Sequence, residues 1–341
     1  MKTLAQRHPV LFFLLINFIW TWSFWFAALP FRGQTLQVLS LVVIGGFGPA
    51  IAGILTLGGL NGFRLRPSRS QIMTFVLGSL LIFGMFALRY AAGNLENFNH
   101  LADDLSLTWP ILVGIIAASL IGGWVFSSAF SQRDAVRRRM GSMLPWRLPR
   151  GWSLLAVCFY AGMILLAWAL AALLGMGVEY PGLWGQPVLE VLPLYALTFG
   201  LTLLALGGNE EAGWRGFLQP ALQQRFSPLV AALIVSLFWS LWHLPLFLNG
   251  FYQGDVLAGM LGGGVYRVLL SIFMAWFYNR SGGNLFLMIF LHASFNNMPN
   301  YLPTADGMLA VLWLVVVVVI VFRDKLWRKL PAAEQNEKEA N

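Results

Sequence analysis

The sequence predicts an all-α fold, a polytopic transmembrane helix bundle of about ten spans with both termini in the cytoplasm. Three observations carry that expectation. Of the 341 residues 58% are hydrophobic and only 11% charged, against about 25% charged in a soluble domain. The apolar residues fall into runs long enough to cross a bilayer at ~20 residues per helix. The basic residues lie in the short segments between those runs rather than in one patch, which is the pattern of topology and not of nucleic-acid binding, despite a net charge of +8.

The runs are 10–30, 37–60, 71–92, 109–130, 152–177, 188–209, 229–249, 257–278, 284–303 and 307–322. The first is too long for a signal-peptide core and has no small-residue cleavage pattern, so it is read as a retained span. With both termini inside, all of the 22 basic residues except Arg32, Arg89 and Arg267 fall in cytoplasmic segments: Lys2, Arg7, Arg64, Arg66, Arg69, the arginines of 131–151, Arg215, Arg225, Arg280 and the C-terminal cluster. Outer segments instead carry Glu96, Asp103, Asp104, Glu179, Asp255 and Asp306. The arginine-rich 131–151 loop divides the chain. Residues 1–150 form a four-span region without an intramembrane His, Asp or Glu, 151–305 form a core that holds the chemistry, and 306–341 form a last span with a basic, then acidic, tail. The single cysteine, Cys158, excludes a disulfide framework. His8 and His100 fall outside the spans and are read as incidental.

Charge within the membrane is costly and marks candidate functional residues. Glu210 and Glu211 follow an unbroken apolar run, in the stretch from Gly207 to Arg215. On one helix Glu211 and Arg215, four apart, share a face and neutralise each other. Glu210 is rotated about 100° away and is the candidate working carboxylate. Two solvated glutamates in a loop past the span are the alternative. His243 lies inside the seventh run, where Pro245 removes the hydrogen bond to the Leu241 carbonyl and should bend the helix. His292 and Asn296, four apart on the ninth run, share one helical face; helix–helix glue is the plainer reading of that pair. Arg267 in the eighth run needs an acidic neighbour, with Glu210 or Glu211 expected and Asp255 the duller option. For the glutamates to reach the depth of the histidines, the sixth helix must continue past Glu210 toward Pro220.

A carboxylate and an imidazole can orient and deprotonate water, and a further donor pair can hold an oxyanion. Glu210, His243 and His292 could equally form a zinc site, although the usual His-Glu-x-x-His spacing is absent.

These residues resemble a known family. Glu210-Glu211-x-x-x-Arg215 with its extension through Pro220, Trp239-x-x-x-His243 and His292-x-x-x-Asn296 are similar to the three motifs of the CPBP, or Abi, intramembrane proteases, which include the CAAX prenyl endopeptidases and proteins linked to bacteriocin immunity. The resemblance covers roughly 190–300. It implies that Glu210 and His243 activate water, that His292 and Asn296 stabilise the oxyanion, and that Glu211 and Arg215 support the site. The family's second motif begins with Phe where this chain has Trp239, and a difference in packing rather than chemistry is expected. The resemblance leaves a metal-free glutamate mechanism and a zinc mechanism both open. It implies an endopeptidase acting near the cytoplasmic face on a membrane-associated or lipidated polypeptide, with the lipid bilayer and no nucleic acid as its other partner. The excess of Arg over Lys points to a bacterial cytoplasmic membrane. A transporter with an intramembrane polar path, or a non-catalytic immunity or scaffold protein of the same fold, are the alternatives.

Overall fold

A computed structural model describes residues 3–60, 67–91, 108–145 and 148–331. Lys2, Arg64, Arg66, Glu96, His100, Asp103, Asp104, Arg147, Lys338 and the acidic tail lie outside the described residues. The fold is all-helical, with one isolated bridge, Glu179 to Thr304, as its only β pairing among the described residues.

Nine helical segments among the described residues are long and apolar enough to span a bilayer. Those of the first half are α1 (Pro9–Ala27), α2 (Thr35–Gly46) running on into α3 (Gly48–Leu60), α4 (Arg69–Ala91) and α5 (Trp109–Ser127). After α6 (Asp134–Met140) come α7 (Arg150–Leu173), α8 (Val188–Leu204), α9 (Pro228–Trp242), α10 (Leu244–Leu248), α11 (Val256–Arg280), α12 (Leu285–Asn297) and α13 (Asp306–Arg323). The expected span at 284–303 is the exception to the count of ten. Helix α12 has 13 residues, or ~20 Å at 1.5 Å per residue, and ends just before Pro299, in the turn Met298–Asn300.

The chain nevertheless changes sides across α12, because contacts between its connecting segments sort into two sets. One set joins Gln6 to Leu60, Ser68 to Phe130, Arg133 to Gly58, Ser142 to Gly283, Leu229 to Leu326 and Arg280 to Asp324. The other joins Arg32 to Gly250 and Glu179 to Thr304. The first set holds segments that the basic residues assign to one side, the second those assigned to the other. A helix shorter than the ~30 Å hydrocarbon core is tolerated here because α12 is walled by protein: nearly all its side chains are buried. The outward faces of α4, α8 and α11 instead carry exposed Leu77, Leu80, Leu88, Leu189, Leu257 and Leu261, as faces that meet acyl chains do.

Two breaks in this bundle create the functional region. Helix α8 stops at Leu204, and Gly207 adopts φ +133°, a conformation that only glycine takes without strain. The chain resumes as a 3₁₀ turn (Gly208–Glu210), a single α-turn (Glu211–Gly213), a π-helical turn (Trp214–Leu218) and a short helix (Gln219–Gln223). The expected continuation past Glu210 therefore exists, but as an interrupted winding rather than one helix. Helix α9 ends at Trp242, and α10 begins after His243, which is the bend that Pro245 called for.

The first half packs directly on this region. A Cβ on Gly53 would stand 2.9 Å from the Ala212 carbonyl, and one on Gly213 would collide with the Pro49 carbonyl. Helix α3 and the glutamate segment thus meet backbone to backbone.

Candidate active site

Glu210, His243, His292 and Asn296 line one cavity of about 410 Å³. Its apolar wall includes Trp25, Leu39, Val42 and Val43, so the four-span region without ionisable groups supplies part of the site. In sequence those positions look like any other lipid-span residues, and no local signal marks them.

Glu210 is buried, and its Oε2 accepts from the indole N–H of Trp239 at 2.9 Å and of Trp214 at 3.3 Å. Its Oε1 has no protein donor among the described residues. The Trp239 contact corrects the expectation that only packing would differ where the family has Phe: an indole supplies a donor that phenylalanine lacks. Trp239 also stands edge-on to the His292 ring at 5.5 Å between centroids, and the Arg215 guanidinium lies 5.0 Å from its own ring centroid.

His243 follows the last turn of α9, and its Nδ1 lies 2.7 Å from the Trp239 carbonyl. A carbonyl can only accept, so Nδ1 carries the proton and Nε2 is left as an acceptor. The ring packs edge-on to Trp242, 4.8 Å between centroids, and parallel to Tyr252.

Glu211 is fully buried with Arg215, paired at 2.8 Å, as the four-residue spacing requires. The same Oε1 accepts from His292 Nδ1 at 2.6 Å, a bond across 81 positions that no local pattern shows. It directs the other ring nitrogen, Nε2, away from Glu211. Glu211 Oε2 and Arg215 Nε and Nη2 have no hydrogen-bond partner among the described residues, so the ion pair is held by one oxygen.

Asn296 is exposed, one turn after His292 on the cavity side of α12. Behind both stands Gly207. A Cβ there would lie 3.1 Å from His292 Nε2 and would overlap Asn296 Nδ2. Sequence reasoning gives Gly207 no role, although a Gly-Gly pair ahead of two glutamates signals a tight approach of backbone to a site. Asn209 fixes this turn, accepting from the Gly207 N–H and donating to the Gly46 carbonyl of α2.

Arg267 lines the same cavity but forms no ion pair with Glu210, Glu211 or Asp255, contrary to expectation. Glu211 is already taken by Arg215 and His292, and the Asp255 side chain caps α11 by accepting from the Ala258 N–H. Glu210, His243 and His292 share the cavity, yet among the described residues no three His, Cys, Asp or Glu side chains converge closely enough to hold a metal ion. The residues present therefore do not fit the zinc site that their types allowed.

Comparison with known proteins bears on the same stretch. Residues 192–298 match the family model "Type II CAAX prenyl endopeptidase Rce1-like". A curated relative, "CAAX prenyl protease 2" of Methanococcus maripaludis, is 32% identical over 137 residues, covering 37% of this chain and 51% of the relative. The chain thus aligns with about half the length of that protein. The matched residues begin in α8, end at Met298 and contain every polar side chain of the cavity described above except Asn300 and Tyr301.

Proposed function

From the match of residues 192–298 to the Rce1-like CAAX prenyl endopeptidase family model, we propose that this integral membrane protein hydrolyses a peptide bond of a membrane-associated or lipidated polypeptide. The observation that carries the reading is the single cavity into which three chain-distant segments bring Glu210, His243, His292 and Asn296.

Water sits between Glu210 Oε1 and His243 Nε2, the two free acceptors of the site. It loses a proton to Glu210 as its oxygen attacks the scissile carbonyl carbon. The carbonyl oxygen, now negative, takes hydrogen bonds from His292 and from the Asn296 amide. A ring that already donates from Nδ1 to Glu211 can donate from Nε2 only as imidazolium, with the Glu211 carboxylate as its counter-charge. Each such donor contributes roughly 3–4 kcal/mol to the transition state. Collapse returns the proton from Glu210 to the departing amine. No step passes through a metal.

The test uses full-length protein in lipid nanodiscs with a farnesylated reporter peptide and its unlipidated counterpart. Glu210→Gln, His243→Ala and His292→Ala should each lower kcat/KM at least ~100-fold, as loss of a proton-transfer or oxyanion group does. Cleavage by Glu210→Gln at the wild-type rate would sink the reading. Equal cleavage of both peptides would remove the lipid from the substrate but keep the hydrolysis.

A further inference from the structure

The mechanism above leaves one charged group of the cavity unused. Arg267 is nine-tenths buried in the middle of α11, and its Nη1 has no hydrogen-bond partner among the described residues. The other groups around it are accounted for. Tyr252, whose phenol burial holds in its neutral form, shares the cavity wall with it. Glu211 is shared by Arg215 and His292, Asp255 caps the helix, and Glu210 Oε2 is held by two indoles.

The position is also shaped for the guanidinium. A Cβ on Gly263 would stand 2.7 Å from Arg267 Nη1, so the group lies back over its own helix against that glycine. Tyr266 and Leu270 of the same helix join it on the cavity wall. A buried cation with an unpaired donor is expensive in a membrane helix. The expense is relieved when an anion arrives, and the anions a polypeptide offers are carboxylates. Arginine binds these through paired N–H donors.

We propose that Arg267 receives a carboxylate of the polypeptide, and so selects chains that carry one beside the bond facing Glu210. Naming the ligand a polypeptide rests on the proteolytic reading above; the anion site itself does not. The carboxylate is either the free C-terminus or an acidic side chain, and the two call for different ligands.

The test is direct binding to full-length protein in nanodiscs, read apart from cleavage. Three probes suffice: N-decanoyl-Val-Ile-Leu as the free acid, the same peptide as its C-terminal carboxamide, and N-decanoyl-Val-Ile-Asp carboxamide. A charge-assisted hydrogen bond contributes about 1.5–3 kcal/mol, so at least one acid should bind roughly 10-fold or more tighter than the neutral carboxamide. Preference for the free acid alone identifies a C-terminal carboxylate; equal gain from the Asp peptide identifies a side chain as sufficient. In Arg267→Gln the ratio of acid to carboxamide should fall to about 1, while Arg267→Lys keeps part of it. Neither acid outbinding the carboxamide in the wild type, or neither acid binding at all, overturns the proposal without recourse to any variant. Discrimination that survives Arg267→Gln overturns it as well. If the acid is preferred but no peptide is cleaved, the proteolytic reading fails and the anion site stands. Cleavage that depends on Glu210 with no acid preference leaves the protease standing and removes the anion site.

Discussion

Glu211→Gln separates the two bonds made by a single oxygen. In the wild type Glu211 Oε1 accepts from Arg215 at 2.8 Å and from His292 at 2.6 Å, with both Glu211 and Arg215 fully buried. Removing the charge leaves the Arg215 guanidinium uncompensated, with Nε and Nη2 already unpartnered. Breaking a buried pair from one side costs about 3–5 kcal/mol. Replacing both members by uncharged side chains of similar volume is often nearly neutral, so Glu211→Gln/Arg215→Met should recover most of the loss in reversible unfolding in mixed micelles. Cleavage should not recover. His292 still lacks the carboxylate to which its Nδ1 donates, and the loss of one oxyanion donor lowers kcat roughly 100-fold or more. The expected pattern is therefore a destabilised, inactive single variant and a stable, inactive double variant. A double variant that regains both stability and cleavage would refute the role given to the Glu211–His292 bond. A Glu211→Gln protein as stable as wild type would refute the burial argument itself.

Gly207→Ala should lower cleavage at least ~10-fold, because its φ of +133° and the overlap with Asn296 displace both oxyanion donors; peptide binding measured alongside should change far less. Trp239→Phe removes the 2.9 Å donor to Glu210 and should reduce kcat by about 10-fold or more. Trp214→Phe, which removes the 3.3 Å donor, should cost less, and the reverse order would contradict the geometry. Outside the membrane, Asp324 is held below its usual carboxylate range, chiefly by its hydrogen bond to Arg280 and also by the Trp276 N–H. A carboxyl depressed in the folded state stabilises above its unfolded value, about 3.9, and loses that contribution as pH falls through the folded value. Asp324→Asn should therefore narrow the stability gap between neutral and acid unfolding midpoints, by little, since Arg280 is largely exposed.

The spans were legible because lipid accepts only continuous apolar runs, and the candidate residues because ionisable groups are scarce among them. What the chain order hides is contact across it. Glu211 meets His292 over 81 positions and Trp239 meets Glu210 over 29. Arg267 shows the limit best: an inventory of charges suggested an acidic neighbour, yet geometry gives each nearby carboxylate another task. The shortened α12 was readable in principle, since Pro299 follows soon after Asn297 and proline ends helices. The share of the first half in the cavity was not, because Trp25, Leu39, Val42 and Val43 carry nothing that distinguishes a lining position from a lipid-facing one.

The interruptions of the helices and the chemistry of the site have a common cause. Irregular backbone inside a membrane survives only where protein or a cavity satisfies the freed groups. When α9 stops at Trp242, its last carbonyls lose their helical donors. The Trp242 carbonyl takes the Trp22 indole at 3.2 Å, and the Trp239 carbonyl takes His243 Nδ1. The second of these fixes the tautomer, so the acceptor nitrogen that a water requires follows from the helix end rather than from any charged neighbour. The break at Gly207 works likewise: its N–H goes to the Asn209 side chain, and the missing Cβ leaves the space that His292 Nε2 and Asn296 occupy. Restoring regular helix at either point would satisfy the backbone internally and, in doing so, remove the proton arrangement and the space on which the hydrolytic chemistry depends.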